Sequence, residues 1–262
     1  METENTWNFS NYELYLLGGL LQLPGFMGLE DPFPGYLTEE IQEHMETARQ
    51  SLTGRGYLEE AGNEFLIDAN LIEAVQTIGT AAKVIATAQN KDSVLVHLAK
   101  NCAVWQERLP DGRVGLSKLN NRKDVEGQLR DWLVLPDAPA APGSGFVVEP
   151  AVMEAAQTLV ENNHQPNGLS AVKSFLMEKS VPPNAAASLS ATLAENHSTG
   201  SLMILEREGS LIEPQTRLAW LIGKQGGWVV ELPHTEMNPP LEWKPASTSS
   251  IVAKVEAILI KL

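Results

Sequence analysis

The residues able to do chemistry are few and far apart. Five histidines, His44, His97, His164, His197 and His234, include no pair in a His-x-x-x-His spacing. That spacing would set two imidazoles on one helix face to hold zinc, and no Cys-x-x-Cys supplies the alternative ligand set. His97 stands in a run of alternating residues, where it is expected to face solvent. His44, beside Met45 on a helix, is expected at the surface. Cys102 is the one cysteine. It precedes Ala103 and Val104 and reads as a small buried hydrophobe, because a reactive thiol needs a neighbouring base or positive dipole. "GLSAV" at 168–172 lacks the second glycine of a nucleophile elbow. "IGKQGGW" at 222–228 holds glycines and a lysine in the wrong order for a phosphate loop, and it reads as a hairpin turn using Gly226-Gly227. The carboxylates of "LEDP" (29–32) and "EEAGNE" (59–64) read as solvated loops. The expectation is a protein with no catalytic residues, no metal and no cofactor.

Composition narrows the partners. Lys and Arg number 19 against 33 Asp and Glu, a formal charge of -14 over 262 residues. Nucleic acid and anionic lipid both repel such a chain, so neither is expected as its partner. One cysteine excludes an intrachain disulfide and fits a reducing compartment. "METENTWNFS" has no basic start and no apolar run, so no signal peptide is expected and the location is read as cytoplasmic. "YLLGGLLQLPGFMGL" is interrupted by Gly18, Gly19, Pro24 and Gly25 and is too short to span a bilayer. Of the six tryptophans, most are expected in the core or half-buried, while Trp7, in a polar tail with Phe9, either docks on the body or marks a contact surface.

Periodicity then supplies the elements. "YELYLLGGLLQL" and residues 37–55 are spaced as helices, "EFLID" is a short apolar run, and Asp68 is placed to cap a helix over residues 69–89. "SVLVHLA", "CAVWQERL" and "RVGLSKL" alternate as three strands, and "RKDVEGQLRDWLVL" closes the set as a helix. "LPDAPAAPGSG", residues 135–145, reads as an extended, mobile linker. Beyond it the order returns. Three helices ("AVMEAAQTLVE", "LSAVKSFLMEK", "PNAAASLSATLAEN") precede three strands ("GSLMILERE", "TRLAWLIGK", "GGWVVELP"), a proline-containing insertion and a closing helix.

The expected fold is therefore α+β. Two pseudo-symmetric halves, residues 1–134 and 146–262 about the 135–145 linker, each carry helices and a three-stranded antiparallel unit. Joined edge to edge, the units form one antiparallel sheet with helices packed on it, which removes exposed edges. Within the first half, "WQERLPDGRVGLSKL" is a hairpin turning at Pro110-Asp111-Gly112. Glu107 and Arg113 are expected to flank the turn on exposed positions, with Val104, Leu109, Val114 and Leu116 supplying apolar contacts. Its counterpart in the second half is read as the turn from Lys224 to Gly227.

Three stretches resemble the EspG family, cytosolic chaperones of type VII (ESX) secretion: "YELYLLGGLLQLPGF", "ARQSLTGRGYL…FLIDANLIEAVQTI" and "GGWVVELPHTEMNPPLEWKPASTSSIVAKVEAIL". The family's Asp-x-x-Gly-Arg-like lead-in is missing from the second half, and the nearest Asp-Gly-Arg is 111–113. The resemblance implies a non-enzymatic protein that keeps a secreted helical client, a PE–PPE pair, soluble. Glu107, Leu109, Asp111, Arg113, Lys224 and Gln225 are the residues expected to touch it. Two other readings stand beside this one: an enzyme or small-ligand protein with a site in the groove between the halves, and a homodimeric scaffold.

Overall fold

Capping chemistry within a few residues starts several helices. In helix α1 (Asn11–Leu20) Ser10 Oγ accepts from Glu13 N at 3.2 Å while Glu13 Oε2 accepts from Ser10 N at 2.7 Å, closing a capping box. Helix α2 (Thr38–Gly54) opens with Leu37 N donating to Glu40 Oε2 at 2.8 Å. Asp68 Oδ1 accepts from Asn70 N and Leu71 N, as its position before helix α3 (Ala69–Thr80) leads one to expect. Helices α4 (Arg122–Trp132), α5 (Pro150–Asn162), α6 (Gly168–Glu178), α7 (Pro183–Ala194) and α8 (Thr248–Leu259) follow the expected order. The computed structural model describes residues 5–62, 64–162, 168–195, 198–208, 211–232 and 239–261, so His164, His197 and His234 lie outside the described residues.

The strands exceed those that periodicity revealed. Among the described residues they are β1 (Thr6–Phe9), β2 (Leu58–Ala61), β3 (Glu64–Ile67), β4 (Lys83–Gln89), β5 (Asp92–Leu98), β6 (Ala103–Arg108), β7 (Val114–Leu119), β8 (Phe146–Val148), β9 (Ser198–Glu208), β10 (Leu211–Gly223), β11 (Gly226–Leu232) and β12 (Leu241–Pro245). Ten join in one antiparallel sheet with the order β1-β7-β6-β5-β4-β9-β10-β11-β12-β8, and β2 pairs β3 apart from it. The fold is α+β, with helices packed on the sheet. The three strands expected first, β5, β6 and β7, gain β4 and β1 as neighbours, and β9, β10 and β11 gain β12 and β8.

Several local expectations are corrected. The helix expected over residues 69–89 stops at Thr80, and Ala81 turns extended at φ -53, ψ 129. Val84, Ile85 and Thr87 are β-branched and gain by pairing as strand β4, with the Ala82 carbonyl accepting from Arg207 N at 2.8 Å. Residues 59–61 and 64 are not a loop but belong to strands β2 and β3, which pair as a hairpin. The stretch 135–145 is not free. Gly227 N donates to Pro139 O at 2.9 Å, Ala141 N to Gly227 O at 3.1 Å and Thr248 N to Ala138 O at 3.0 Å. Ala138 and Ala141 are buried there. Small side chains let this segment lie flat against a strand, so composition that reads as mobile serves close approach instead.

Contacts separate two compact units: Met1–Ala86 with Ser93–Gln128 and Glu206–Glu213, and Thr87–Asp92 with Leu129–Leu205 and Pro214–Leu262. The core of the first packs Leu14 and Leu17 of α1, Leu71, Val75 and Ile78 of α3, and Val104, Val114 and Leu116 of the sheet. Trp7 and Phe9 belong to it as well, so the N-terminal aromatics dock on the body. Glu13, only 4% exposed, ties this core together. Its Oε1 accepts from Ser51 Oγ at 2.7 Å and Arg55 Nη1 at 3.1 Å, and Arg55 lies over the Tyr57 ring at 4.6 Å. A buried carboxylate is tolerated there because both oxygens have donors, one of them a guanidinium. The second core gathers Trp228, Trp243 and Phe146 of the sheet with Val172, Leu176 and Leu189 of the helices.

Candidate functional site

The first candidate surface is the β6–β7 hairpin. Its strands pair from Ala103↔Leu119 to Arg108↔Val114, and five residues close the loop. Gly112 N donates to Leu109 O at 2.9 Å and Leu109 N to Arg113 O at 2.8 Å, which tightens the turn. Gly112 takes φ +83, a conformation that a Cβ would penalise. Asp111 Oδ1 accepts from Arg113 N at 3.1 Å and Oδ2 from Arg113 Nε at 2.7 Å. The Arg113 amide and guanidinium hold the Asp111 carboxyl below its ordinary pKa. The tip is a preorganised, charged, solvent-exposed turn.

Of the hairpin's apolar residues, most face the other way. Val104, Val114 and Leu116 are buried in the first core and serve the scaffold. Leu109 is half-buried, its side chain lying over Gly115. Glu107 is half-buried and Arg113 exposed. The structure thus brings Glu107, Leu109, Asp111 and Arg113 together around one turn.

Lys224 and Gln225 form a different turn, a two-residue connection between Gly223 and Gly226 of β10 and β11. This corrects the expectation that Gly226-Gly227 make the turn: both lie in the strand and both are buried. Gly226 has φ +122, and a Cβ on it would meet Ala141 Cα at 2.6 Å. A Cβ on Gly227 would collide with Ala246 O. The glycines let the 138–141 and 246 segments approach. Lys224 and Gln225 remain exposed at the tip, with Lys224 N donating to Glu195 Oε2 at 3.2 Å.

Strand order also changes which turns correspond. The two sets of five read β1-β7-β6-β5-β4 and, inward from the other edge, β8-β12-β11-β10-β9, which is one order. It matches the Pro110 turn to the β11–β12 connection and the Lys224 turn to the connection between β5 and β6. Matching "SVLVHLA" with the next half's first strand leaves β4 without a counterpart, which is where the reading from periodicity and the strand order differ.

Surfaces that periodicity missed lie on two other hairpins. Phe65 and Leu66, adjacent in β3, are 41% and 52% exposed. Adjacent strand residues point to opposite faces, so each face of this hairpin bears one bare apolar side chain, while Leu58 and Ile67 at its base pack on the first core. Leu211 and Ile212, the first residues of β10, are bare in the same way. The one cue in the sequence is an apolar pair with charged neighbours, "EFLID" after "EEAGNE".

The titratable groups read from the sequence are structural. His97 faces inward, not to solvent, and is fully buried with Nε2 2.8 Å from Gln106 Oε1. Burial pushes its pKa down to about 4. His44 is half-buried, stacked on Tyr12 at 4.5 Å. Cys102 is buried with its Sγ 3.4 Å from Thr77 Oγ1, and burial raises its pKa, which disfavours the thiolate. Among the described residues, no group of three or more His, Cys, Asp and Glu is placed to hold a metal, and no helix is long and apolar enough to cross a membrane.

The chain matches no protein-family model and no curated protein. Among solved structures it is similar to the Mycobacterium tuberculosis type VII secretion system chaperone EspG5, determined in complex with a PE25–PPE41 dimer. The TM-score is 0.63 at 11% identity, over 97% of this chain and 95% of that chain. At that identity the likeness is one of fold, and over nearly its whole length this chain shares the fold of that chaperone.

Proposed function

We propose that this protein is a non-enzymatic, cytoplasmic chaperone of the EspG kind, which binds a secreted helical client of the PE–PPE type and keeps it soluble. The observation that carries this reading is a fold match over 97% of this chain and 95% of that chaperone. The exposed apolar pairs Phe65–Leu66 and Leu211–Ile212 supply surface of the sort that a client's apolar tip needs. In this reading Glu107, Asp111 and Arg113, and separately Lys224 and Gln225, contribute charged and polar contacts, which set orientation and on-rate more than affinity, and Leu109 adds an apolar one.

Co-expression with a PE–PPE pair from the same genome, followed by size exclusion with light scattering, tests it. A 1:1:1 complex is expected. Phe65→Ser with Leu66→Ser removes two large apolar contacts, each worth about 1.5 kcal/mol or more when buried, so affinity should fall about a hundredfold. Arg113→Glu should slow association, and more strongly at low salt. Failure to form a complex with any PE–PPE pair of that genome would sink the reading. Elution at twice the monomer mass without a client would favour a homodimeric scaffold instead.

A further inference from the structure

Asp111 and Gly112, at the tip of the β6–β7 hairpin, form the one Asp-Gly pair of the chain. Each of the other aspartates is followed by Pro, Ala, Ser, Val or Trp. The difference is chemical. The backbone nitrogen after an aspartate lies one ring closure away from that side chain's carboxyl carbon. A following side chain crowds the approach, and glycine has none. Closure forms a bond from Gly112 N to Asp111 Cγ; the nitrogen gives up its proton, and the carboxyl hydroxyl leaves with it as water. The product is a five-membered succinimide, and water then adds to either of its two carbonyls. Breaking the new bond restores aspartate. Breaking the original peptide bond leaves isoaspartate, in which Cβ and Cγ of Asp111 have entered the main chain. Nothing is oxidised or reduced, and water is the only co-reactant.

The fold both exposes this pair and restrains it. Residues 110–113 are exposed, so water reaches the turn. A Cβ on Gly112 would meet nothing within 4 Å, so no packing excludes a ring there. Both reacting groups are nevertheless engaged. The attacking nitrogen donates to Leu109 O at 2.9 Å. The carboxylate accepts from Arg113 at each oxygen, from N to Oδ1 at 3.1 Å and from Nε and Nη2 to Oδ2 at 2.7 Å. Closure needs the carboxyl in its acid form, which alone carries a hydroxyl able to leave as water. The Arg113 amide and guanidinium favour the ionised form instead. Of these restraints, only the guanidinium belongs to a side chain; the others are made by the backbone of the turn.

We infer that Asp111–Gly112 is an isoaspartate-forming site and that the Arg113 side chain is the latch that holds it shut. A carboxylate that draws the guanidinium away from Asp111 opens the site. Once formed, isoaspartate lengthens the main chain of the tip and moves the free carboxylate to a new position, so the present Asp111–Arg113 pair is lost. The change stays at the tip, because Val114 and Leu116 below it are held in the first core.

The test is prolonged warm incubation, at neutral pH, of the full-length protein and its Arg113→Gln variant. Synthetic peptides of residues 105–119, with and without the same substitution, report the local sequence without the fold, since an isolated hairpin is marginally stable at best. After digestion, the fragment bearing residue 111 is separated and compared with synthetic standards containing aspartate or isoaspartate. Asn167–Gly168, which deamidates by the same ring closure, is the internal clock for the two proteins. Isoaspartate should form about tenfold more slowly in the folded protein than in the peptide, because the turn must open first. Arg113→Gln should quicken it about threefold or more in the protein, the rise in acid fraction that half a pKa unit produces. In the peptide the same substitution should change the rate by less than about twofold. Absence of isoaspartate at residue 111 from the peptides would overturn the site. Equal rates in protein and peptide, a protein rate indifferent to Arg113→Gln, or equal quickening in the peptide would each overturn the latch. Quickening accompanied by a lowered urea midpoint would overturn it too, since general opening of the hairpin would then account for the rate. The inference does not rest on the chaperone reading, and no client enters the experiment.

Discussion

The β6–β7 and β10–β11 hairpins look interchangeable as sequence: alternating strands, a glycine turn, a charged tip. They differ in what surrounds them. Around the first turn a Cβ on Gly112 would meet nothing within 4 Å, so its glycine answers only to backbone conformation. Around the second, Gly226 and Gly227 are pressed by the backbones of Ala140, Ala141 and Ala246. One hairpin is open at its end, and the other is a clamp for the segment that joins the two sets of strands. The same residue type therefore does two unrelated jobs, and only the neighbours distinguish them.

Substitution should expose that difference. Gly226→Val carries the largest expected effect. It adds a β-branched side chain at φ +122 and drives it into Ala141, so destabilisation of about 3 kcal/mol or more is expected in urea unfolding. Gly112→Ala, in open space at φ +83, should cost only about 1 kcal/mol. Equal costs would break the comparison.

Acid should act beside the first hairpin, where His97 of the neighbouring strand β5 bonds Gln106 of β6, and spare the second, whose strands β10 and β11 contain no histidine. His97 has a folded pKa of about 4, below its ordinary 6.5, so the unfolded chain takes up the proton first. Stability is then unaffected above about pH 6.5, and it falls as the pH drops from there toward 4. The loss totals about 3 kcal/mol, by a shift of some two and a half pKa units at 1.36 kcal/mol each. His97→Gln should flatten that part of the stability profile. Amide exchange in β5 and β6 should quicken in acid before exchange in β10 and β11.

The smallest expected effect is at the tip. Arg113→Glu loses a fully exposed ion pair with Asp111, so the urea midpoint should stay within error of wild type. Asp111 should then titrate nearer its ordinary value, because the guanidinium that lowers it is gone. A shifted midpoint would mean that the tip supports the sheet rather than standing clear of it.

Much of this was legible in the sequence wherever the deciding interaction is local. Asp68 caps α3 because its carboxylate reaches amides two and three residues on. Pro110-Asp111-Gly112 turns because proline presets one backbone angle and glycine accepts a positive one. Alternation marked β5, β6, β7, β9, β10 and β11. It failed at β4, where "AKVIATAQ" also continues a helical pattern, and at β1, β8 and β12, three to five residues long, too short to show a period. Of the candidate surface, the position of the charged tip was legible, but the bare pairs on β3 and β10 were not. Nothing in "EFLI" or "LIEP" says that no helix will cover them.

By itself the sequence determined the Asp68 cap, the Pro110–Gly112 turn, the order of the helices and of six sheet strands, and the absence of an intrachain disulfide, because each depends on chemistry within a few residues or on composition. The tertiary structure alone decided that His97 faces inward and that residues 135–145 are clamped. Burial belongs to pairs of surfaces, and a surface learns its partner only when distant parts of the chain have met.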